Sequence, residues 1–250
     1  MSWTALILAG SRGPADPVAQ AAGVSHKAFA EVAGRSMIGR VAEALAAAGI
    51  GRILVSIEPG APALPAGLER LDAAPSPARS VGAALAAAPT PLLVTTADHP
   101  LLTSAMVADF LAGAGAAGAD VCAGVAVRAV VEAAGNPARR TYLRFRDAEV
   151  SGCNLFALNT PRAAQAVAFW KRLEAERKRP WKMALAIGPA TLAAYAAGWL
   201  TMAGAARALG RAAGCTAALV TLDHAEAAHD VDKPADLAFA EARLRAHAGG

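Results

Sequence analysis

Three short segments, far apart in the sequence, carry small, basic and acidic residues that could bind a phosphate group and a metal ion. The first is LAGSRG at positions 8–13, which ends an apolar run and is followed by Lys27. A glycine after a buried strand lets the backbone approach an anion, and consecutive N–H groups can form a cradle for it. Arg12 and Lys27 would add positive charge that suits a triphosphate. An ordinary tight turn after a strand remains the alternative for this segment.

The other two segments supply carboxylates. Asp98 ends the apolar stretch PLLVTTAD, where a carboxylate is costly unless it is exposed, hydrogen-bonded or bound to a cation. Near the end of the chain, Asp230 and Asp232 flank one valine, so both point to the same face of an extended chain. Mg²⁺ needs few protein carboxylates when substrate phosphates complete its coordination. Capping or turn-forming roles remain open for these aspartates, and we expect His99 to be a polar edge residue rather than a ligand.

Apolar runs that alternate with helical segments in the first half predict a mostly parallel sheet with helices on both faces. Predicted strands lie at 3–9, 52–57, 91–98 and 119–127, with a possible one at 68–71. Predicted helices lie at 37–48 and 79–87 and begin again at 104, whereas 10–27 is expected to be a loop. Ligands of such folds bind outside the carboxyl ends of the strands. We therefore expect the chemistry at the loop after the first strand and at the turn 97–103.

The second half of the chain has a different pattern. It predicts a β-hairpin at 139–158, helices at 161–178, 181–187, 189–197 and 201–213, a strand at 215–222 and a final helix at 234–246. The stretch from 183 to 206 contains no charged residue, but its glycines and Gly188-Pro189 favour two short buried helices over a membrane span. Contact between this stretch and a membrane surface is kept as an alternative.

Composition excludes several classes of protein. The 250 residues are 55% hydrophobic and 18% charged, with a net charge of +4, which rules out disorder for most of the chain and a collagen-like, coiled-coil or disulfide scaffold. The same charge is a weak field and does not favour nucleic acid as a partner. The three cysteines form no CxxC motif, so we expect buried free thiols in a reducing cytoplasm.

Together and in this order, the three segments resemble the nucleotidyltransferases of the GT-A-like α/β fold, and among them the MobA-like NTP transferases. Lys27 precedes VAGRSM at 32–37. ADHPLL at 97–102 is similar to the motif A-D-x-P-[FL]-[LI] of the molybdenum-cofactor guanylyltransferase-like group, and DVDKPADL at 230–237 matches the family's terminal motif. Two positions depart from the family pattern: GSRG at 10–13 replaces the usual G-x-G-T-R loop, and Ser36 replaces a proline.

The resemblance implies a Rossmann-like three-layer αβα sandwich with a mostly parallel central sheet and a helical and hairpin insertion on the acceptor side. It implies one domain over 1–250, in which 1–128 and 215–250 form the core that binds nucleotide and metal, and 129–214 form the acceptor side. The implied reaction is attack of an acceptor phosphate on the α-phosphorus of a nucleoside triphosphate. Pyrophosphate leaves, and Mg²⁺ is the cofactor.

The resemblance also assigns roles to individual residues. Arg12 and Lys27 would be catalytic, because they would stabilise charge on the α- and β-phosphates. Asp98 and Asp232 would hold Mg²⁺, with Asp230 as a further metal candidate. The residues expected to bind the nucleotide are Leu8, Ala9, Gly10, Ser11, Arg12, Gly13, Lys27, Arg79, Ser80, Val81 and Ala97.

The acceptor site is expected in the second half. Gly152 and Asn154 resemble the glycine and asparagine that contact the acceptor in sugar nucleotidyltransferases, and a dense basic cluster at 170–182 predicts an anion site. The residues expected to bind the acceptor are Arg140, Arg144, Gly152, Asn154, Lys178, Arg179 and Lys182. A phosphorylated acid or a polyol phosphate would suit this charge, unless the cluster is only a solvated helix end.

The choice of nucleotide rests on RSVGAAL at 79–85, which resembles the S-V-x-x-[GA]-L segment of cytidylyltransferases and favours CTP over GTP. A serine that only caps an alanine-rich helix is the alternative. Three other hypotheses stay open: a guanylyltransferase of the molybdenum-cofactor type that uses GTP, a glycosyltransferase of the same architecture, and a membrane-associated relative without catalysis.

Overall fold

The computed structural model describes residues 2–11, 15–135, 140–176 and 186–248 of the chain. Within these ranges the strands are β1 (Thr4–Leu8), β2 (Glu31–Val32), β3 (Arg35–Ser36), β4 (Arg52–Ile57), β5 (Leu68–Asp72), β6 (Leu92–Thr96), β7 (Val121–Val127), β8 (Leu143–Arg144), β9 (Glu149–Leu158) and β10 (Ala217–Thr221). The helices are α1 (Pro17–Ala21), α2 (Met37–Ala47), α3 (Pro77–Ala87), α4 (Ser104–Ala117), α5 (Arg128–Ala133), α6 (Ala163–Ala175), α7 (Pro189–Ala196), α8 (Met202–Ala213) and α9 (Pro234–Ala248). A 3₁₀ helix covers Lys27–Phe29.

One mixed sheet forms the centre of the fold. Its strand order is β10-β7-β9-β6-β1-β4-β5, and β8 pairs with β9. β1 is parallel to both β4 and β6, so that Leu6 lies opposite Leu54 and Val94. β9 is antiparallel to β6 and β7, between which it lies. The sheet confirms the expected Rossmann-like, mostly parallel architecture, and it also places the second strand of the predicted hairpin inside the sheet.

Alternate residues of β1 face the two helical layers, as the twofold side-chain period of a strand requires. Ile7 belongs to a buried cluster with Leu45 of α2 and Phe110 of α4. Leu6 belongs to a second buried cluster with Val81 of α3 and Val167 of α6. At β1 the sheet is therefore covered by helices on both faces.

Local signals explain where two of the helices begin. Ser36, the residue that stands where the family has proline, accepts a hydrogen bond from the N–H of Gly39 at 3.3 Å and caps α2. α3 begins at Pro77, two residues before its predicted start, because Ser76 caps it and proline suits the first helical turn.

Several short elements were not expected. The predicted loop at 10–27 contains α1, whose N-terminal N–H groups are capped by Asp16. The β2–β3 pair and α5 were also missed. These elements are two to six residues long, too short for hydrophobic periodicity to show.

The uncharged stretch forms helices, but one of them is not buried as expected. α7 has no buried residue, and Trp199 after it is 73% exposed, whereas α8 buries four small residues. Alanine side chains bury little area, so burial adds little to the stability of α7. No helix in the described part of the chain is long and apolar enough to cross a membrane. Residues 139, 177–178 and 181–185 of the predicted hairpin and helices lie outside the described residues.

Candidate active site

A cavity of about 160 Å³ opens beyond the carboxyl ends of β1 and β6. It is lined by Leu8, Ala9, Gly10, Asp16, His26, Lys27, Ala28, Ala97, Asp98 and Asp232. The structure thus brings together segments from the beginning, middle and end of the sequence. Five residues expected at the nucleotide (Leu8, Ala9, Gly10, Lys27 and Ala97) and two expected at the metal line this one cavity.

Lys27 links the two candidate metal ligands. Its Nζ donates a hydrogen bond to Asp98 Oδ2 at 2.8 Å and to Asp232 Oδ1 at 3.3 Å. The lysine side chain is only 15% exposed, while that of Asp232 is 52% exposed. Burial lowers the pKa of Lys27, but the two carboxylates outweigh it and raise the pKa above its ordinary value. Lys27 is therefore a charged ammonium at neutral pH.

Backbone hydrogen bonds fix the two aspartates next to each other. The N–H of Ala97 donates to Leu8 O at 2.9 Å and continues the pairing of β6 with β1, so that Asp98 follows immediately beyond the sheet. The N–H of Val231 donates to Asp98 O at 2.8 Å, which docks the segment containing Asp232 onto the same turn. Asp236 accepts from the N–H groups of Asp232 and Lys233 and fixes the start of α9.

The side chains present fit a divalent cation. Asp98 Oδ1 is buried and has no hydrogen-bond partner among the described residues, although its other oxygen binds a cationic group. No group of three or more His, Cys, Asp and Glu side chains in the described ranges is arranged to hold a metal. Asp98 and Asp232 would therefore hold Mg²⁺ only with help from substrate phosphates and water, which is the usual manner for this ion.

Asp230 pairs with an arginine side chain instead of Lys27. Its carboxylate pairs with Arg140 Nη1, its carbonyl oxygen accepts from Arg140 Nη2 at 3.0 Å, and its Oδ2 accepts from Asn154 Nδ2 at 3.5 Å. Asp230 and Asp232 therefore do not share a partner, although we expected both carboxylates on one face. The structure instead groups Asp230 with Arg140 and Asn154, two residues expected at the acceptor.

The remaining acceptor candidates are less closely grouped. Arg144 is exposed, its Nε lies 3.5 Å from Glu149 Oε1, and its N–H donates to the hydroxyl of Tyr195 at 3.2 Å. Gly152 is exposed, and a Cβ added there would meet nothing within 4 Å. Lys178, Arg179 and Lys182 lie outside the described residues, as do the phosphate-loop candidates Arg12 and Gly13.

The segment expected to contact the base does not point its side chains into the cavity with Lys27. Ser80 is buried, where its Oγ accepts from Ser56 Oγ at 2.8 Å and from the N–H of Ala74 at 3.1 Å. Val81 of α3 is buried in a cluster with Val167 of α6. Arg79 lines a separate cavity of about 500 Å³ beside Lys171 and Glu174 of α6. The serine thus holds the loop that follows β5.

Sequence reasoning missed two polar residues beside the loop after β1. Glu58 Oε1 accepts a hydrogen bond from the N–H of Ser11 at 2.6 Å, and its Oε2 lies 3.1 Å from His26 Nε2. Glu58 follows β4 at the same sheet edge as Asp98, so the rule that singled out Asp98 applies to it as well. His99 was expected at a polar edge but is buried, and burial lowers its pKa.

The fold and the position of the cavity are those of a Rossmann-like α/β transferase that binds its ligand beyond the strand ends. A family comparison identifies the class more closely, since the model of the MobA-like NTP transferase domain matches residues 5–214. The chain belongs to the MobA-like NTP transferase family, as the sequence motifs indicated. A search of curated proteins gives no match.

Solved structures agree with this assignment. A hypothetical transferase from Thermus thermophilus is 31% identical and has a TM-score of 0.82, with 95% of this chain and 100% of that chain covered. The 2-C-methyl-D-erythritol 4-phosphate cytidylyltransferase, also from Thermus thermophilus, is 20% identical, with a TM-score of 0.57 over 98% and 100% of the two chains. A putative glucose-1-phosphate thymidylyltransferase from Bacillus anthracis is 13% identical, with a TM-score of 0.61 over 98% and 96%. The last two show a shared fold alone.

Proposed function

We propose that this protein transfers a nucleoside monophosphate from CTP to a small phosphorylated acceptor, with Mg²⁺ as cofactor and pyrophosphate as the second product. The observation that carries the proposal is the Lys27 ammonium between Asp98 and Asp232, beyond the ends of β1 and β6. One ammonium and two carboxylates leave an excess negative charge, which suits a divalent cation that arrives with a triphosphate.

The reaction needs positioning and charge neutralisation, and it needs no covalent intermediate. An acceptor phosphate oxygen attacks the α-phosphorus of CTP. The bond between that phosphorus and the oxygen bridging to the β-phosphate breaks, and the bridging oxygen leaves with pyrophosphate. Lys27 and Arg12 would stabilise the charge on the phosphates. Mg²⁺ held by Asp98 and Asp232 would supply further neutralisation at the phosphate oxygens.

The preference for CTP rests on the resemblance of RSVGAAL at 79–85 to a segment of cytidylyltransferases, which in this structure supports the loop that follows β5. Ser80 holds the N–H of Ala74 at 3.1 Å, so the RSV segment shapes this loop from inside the protein. A small pyrimidine would fit against the backbone at Gly10, which lines the cavity with Lys27. GTP is the second candidate, because ADHPLL resembles the guanylyltransferase motif.

The acceptor would bind near Arg140 and Asn154, which contact Asp230, two residues before Asp232 in the sequence. The positive charge at 170–182 supports an acceptor that carries a phosphate and a second acidic group, such as a phosphorylated acid or a polyol phosphate. Residues 129–214 would then provide the acceptor side of a single domain. We propose a reducing, cytoplasmic location because Cys122, Cys153 and Cys215 are free thiols.

Thermal unfolding with Mg²⁺ and each of the four nucleoside triphosphates tests the choice of nucleotide. A ligand at about 100 times its Kd stabilises the folded state by roughly 2.7 kcal/mol, so the preferred nucleotide gives the largest rise in Tm. We expect CTP to give it. A larger rise with GTP would replace the cytidylyl proposal by the guanylyl one.

Pyrophosphate release with a panel of phosphorylated acceptors then tests the reaction. Release with CTP and one of these acceptors, absent in Asp98→Asn, would support the proposal. The panel also includes nucleotide sugars as donors, which test the glycosyltransferase alternative. Absence of both a Tm shift and pyrophosphate release with every triphosphate would defeat the proposed function.

A further inference from the structure

Glu58 connects the loop after β1 to the segment that carries Lys27. It lies one residue beyond β4, and both of its carboxylate oxygens are used. Oε1 accepts from the N–H of Ser11 at 2.6 Å, while Oε2 lies 3.1 Å from His26 Nε2. Burial raises the pKa of Glu58, but hydrogen bonds from the Ser11 and Glu58 backbone and from His26 outweigh it and leave the pKa below its ordinary value. Glu58 is therefore an ionised acceptor at neutral pH.

His26 uses both of its ring nitrogens. Nδ1 accepts from the N–H of Ala28 at 3.2 Å, so in the neutral ring the proton lies on Nε2 and is donated to Glu58. The residue is 6% exposed, and Phe29 packs edge-on against its ring at 5.8 Å. The imidazole is thus held in one orientation, where it caps the 3₁₀ helix whose first residue is Lys27.

We propose that Glu58 and His26 act as positioning residues for Lys27 and the loop at Ser11. An unbroken set of contacts runs from the Ser11 N–H through Glu58 and His26 to the start of the 3₁₀ helix, and Lys27 extends from there to Asp98 and Asp232. This inference rests on the proposed function, because it assigns the loop and the ammonium to the same triphosphate. Neither Glu58 nor His26 is placed on the reacting atoms.

Charge alone predicts the opposite effect of removing Glu58. A carboxylate beside a bound triphosphate is unfavourable, so an electrostatic role predicts that Glu58→Gln lowers the KM for the nucleotide without lowering kcat. A positioning role predicts that kcat falls, because small displacements of a charged group weaken its action in the transition state. The split between KM and kcat therefore separates the two roles.

Two substitutions at His26 each keep one of its two hydrogen bonds and remove the other. Asparagine places an amide oxygen near the position of Nδ1, so His26→Asn keeps an acceptor for the Ala28 N–H and loses the contact with Glu58. Glutamine places an amide nitrogen near the position of Nε2, so His26→Gln keeps a donor to Glu58 and loses the cap. Glu69→Gln is the matched control, since Glu69 is a carboxylate on β5 that pairs with Arg52 on the surface at 2.9 Å.

We expect kcat to fall about 10- to 100-fold in Glu58→Gln and in His26→Asn, the scale of a displacement of about 1 Å. The double variant should be no slower than the slower single variant, because both break one link. Glu69→Gln should leave kcat unchanged. The proposal would be overturned if the losses of kcat in Glu58→Gln and His26→Asn were fully additive in the double variant. It would also be overturned if Glu58→Gln lowered the KM for the nucleotide and left kcat unchanged.

A second measurement needs no turnover. Trinitrobenzenesulfonate modifies free amines, and peptide mapping by mass spectrometry gives the rate at Lys27 itself. We expect faster modification of Lys27 in Glu58→Gln and His26→Asn than in the wild type and Glu69→Gln, and equal rates would count against positioning. Faster modification in a protein that turns over no triphosphate would defeat the proposed function and keep the positioning role.

Discussion

Two aspartates at opposite edges of the same sheet have very different surroundings. Asp98 follows β6 at the carboxyl edge, where Oδ2 binds Lys27 and Oδ1 is buried with no partner among the described residues. Asp120 precedes β7 at the amino edge, where it accepts from Thr160 Oγ1 at 2.5 Å and from both the N–H and the hydroxyl of Thr216 at 2.8 Å. Both carboxylate oxygens of Asp120 accept hydrogen bonds from residues of the fold itself. Asp98, in contrast, keeps one oxygen without a partner among the described residues.

Residue type alone does not tell which carboxylate is fully hydrogen-bonded by the fold and which keeps an unpaired oxygen, whereas the hydrogen-bond partners do. Asp120 joins the starts of β7 and β10 to the chain before α6, so its hydrogen bonds stabilise the fold. Asp98 shares one ammonium with Asp232, so the ion pairs of the described residues leave these two carboxylates with an excess of negative charge. Substitutions at the two edges should therefore separate activity from stability.

The largest effect is expected from Asp98→Asn and Asp232→Asn. An amide is nearly the same shape as a carboxylate but binds a hard cation weakly. A metal ion contributes several kcal/mol of charge stabilisation, so turnover should fall on the order of 1000-fold. Kinetics at limiting Mg²⁺ measure the loss, and circular dichroism checks that the fold is kept. Wild-type activity in both variants would refute the metal assignment.

Asp230→Asn should mainly lower the free energy of unfolding and raise the KM of the acceptor. The Arg140 side chain is 13% exposed, and it would lose its nearer carboxylate and keep only that of Asp236, 4.0 Å away. Losing this charge-assisted contact should cost about 2 kcal/mol, whereas Asp232 is half exposed and its loss should cost far less. Urea unfolding of the two variants side by side tests this, with the KM of the acceptor as a second readout. Equal losses of the free energy of unfolding in Asp230→Asn and Asp232→Asn would contradict the expected difference between the two aspartates.

The sequence was sufficient to bring Lys27, Asp98 and Asp232 to one cavity, but not to find the partners of Asp230. Asp98 and Lys27 could be found because parallel strands end at one edge and the motifs resemble a family. The contacts of Asp230 with Arg140 and Asn154 could not be found in this way, because no strand pairing relates these segments. The two partners lie 90 and 76 positions from Asp230 in the sequence.

Burial was also difficult to predict from the sequence. Ser80 was expected at the base, but its hydroxyl is fixed between Ser56 and Ala74 inside the protein. α7 was expected to be buried, because alanine and leucine suggest a core, yet it lies on the surface. Hydrophobicity and helical period identify a helix, but they do not show which neighbour covers it.

Lys27→Met should increase the affinity for the cation while it impairs the reaction. The ammonium occupies one oxygen of each carboxylate, so a divalent ion must compete with it. Without nucleotide, we expect Mn²⁺ to bind roughly tenfold more tightly to this variant, which corresponds to the loss of one charge-assisted contact. The KM for the triphosphate should rise at the same time. Lys233→Met, at an exposed neighbouring lysine, is the control, and unchanged Mn²⁺ affinity in Lys27→Met would contradict the prediction.

The smallest effect is expected from Asp120→Asn, which should reduce stability and leave kcat unchanged. Hydrogen bonds from Thr160 and Thr216 lower the pKa of Asp120 below its ordinary value of 3.8. The folded state therefore holds the ionised form more strongly than the unfolded state does, and this contribution is present above about pH 4. At pH 7 the variant should lose about 1 kcal/mol of the free energy of unfolding.

The sign of this pH dependence distinguishes Asp120 from an uncharged packing effect. As the pH falls through the lowered pKa, the wild type loses the contribution and the variant has none to lose. The difference between the two free energies of unfolding should therefore shrink below pH 4 and approach zero in stronger acid. Chemical denaturation at pH 7 and at several points below pH 4 measures it. A difference that stays constant over this range would show that Asp120 stabilises the fold by packing, and the contrast with Asp98 would lose its electrostatic basis.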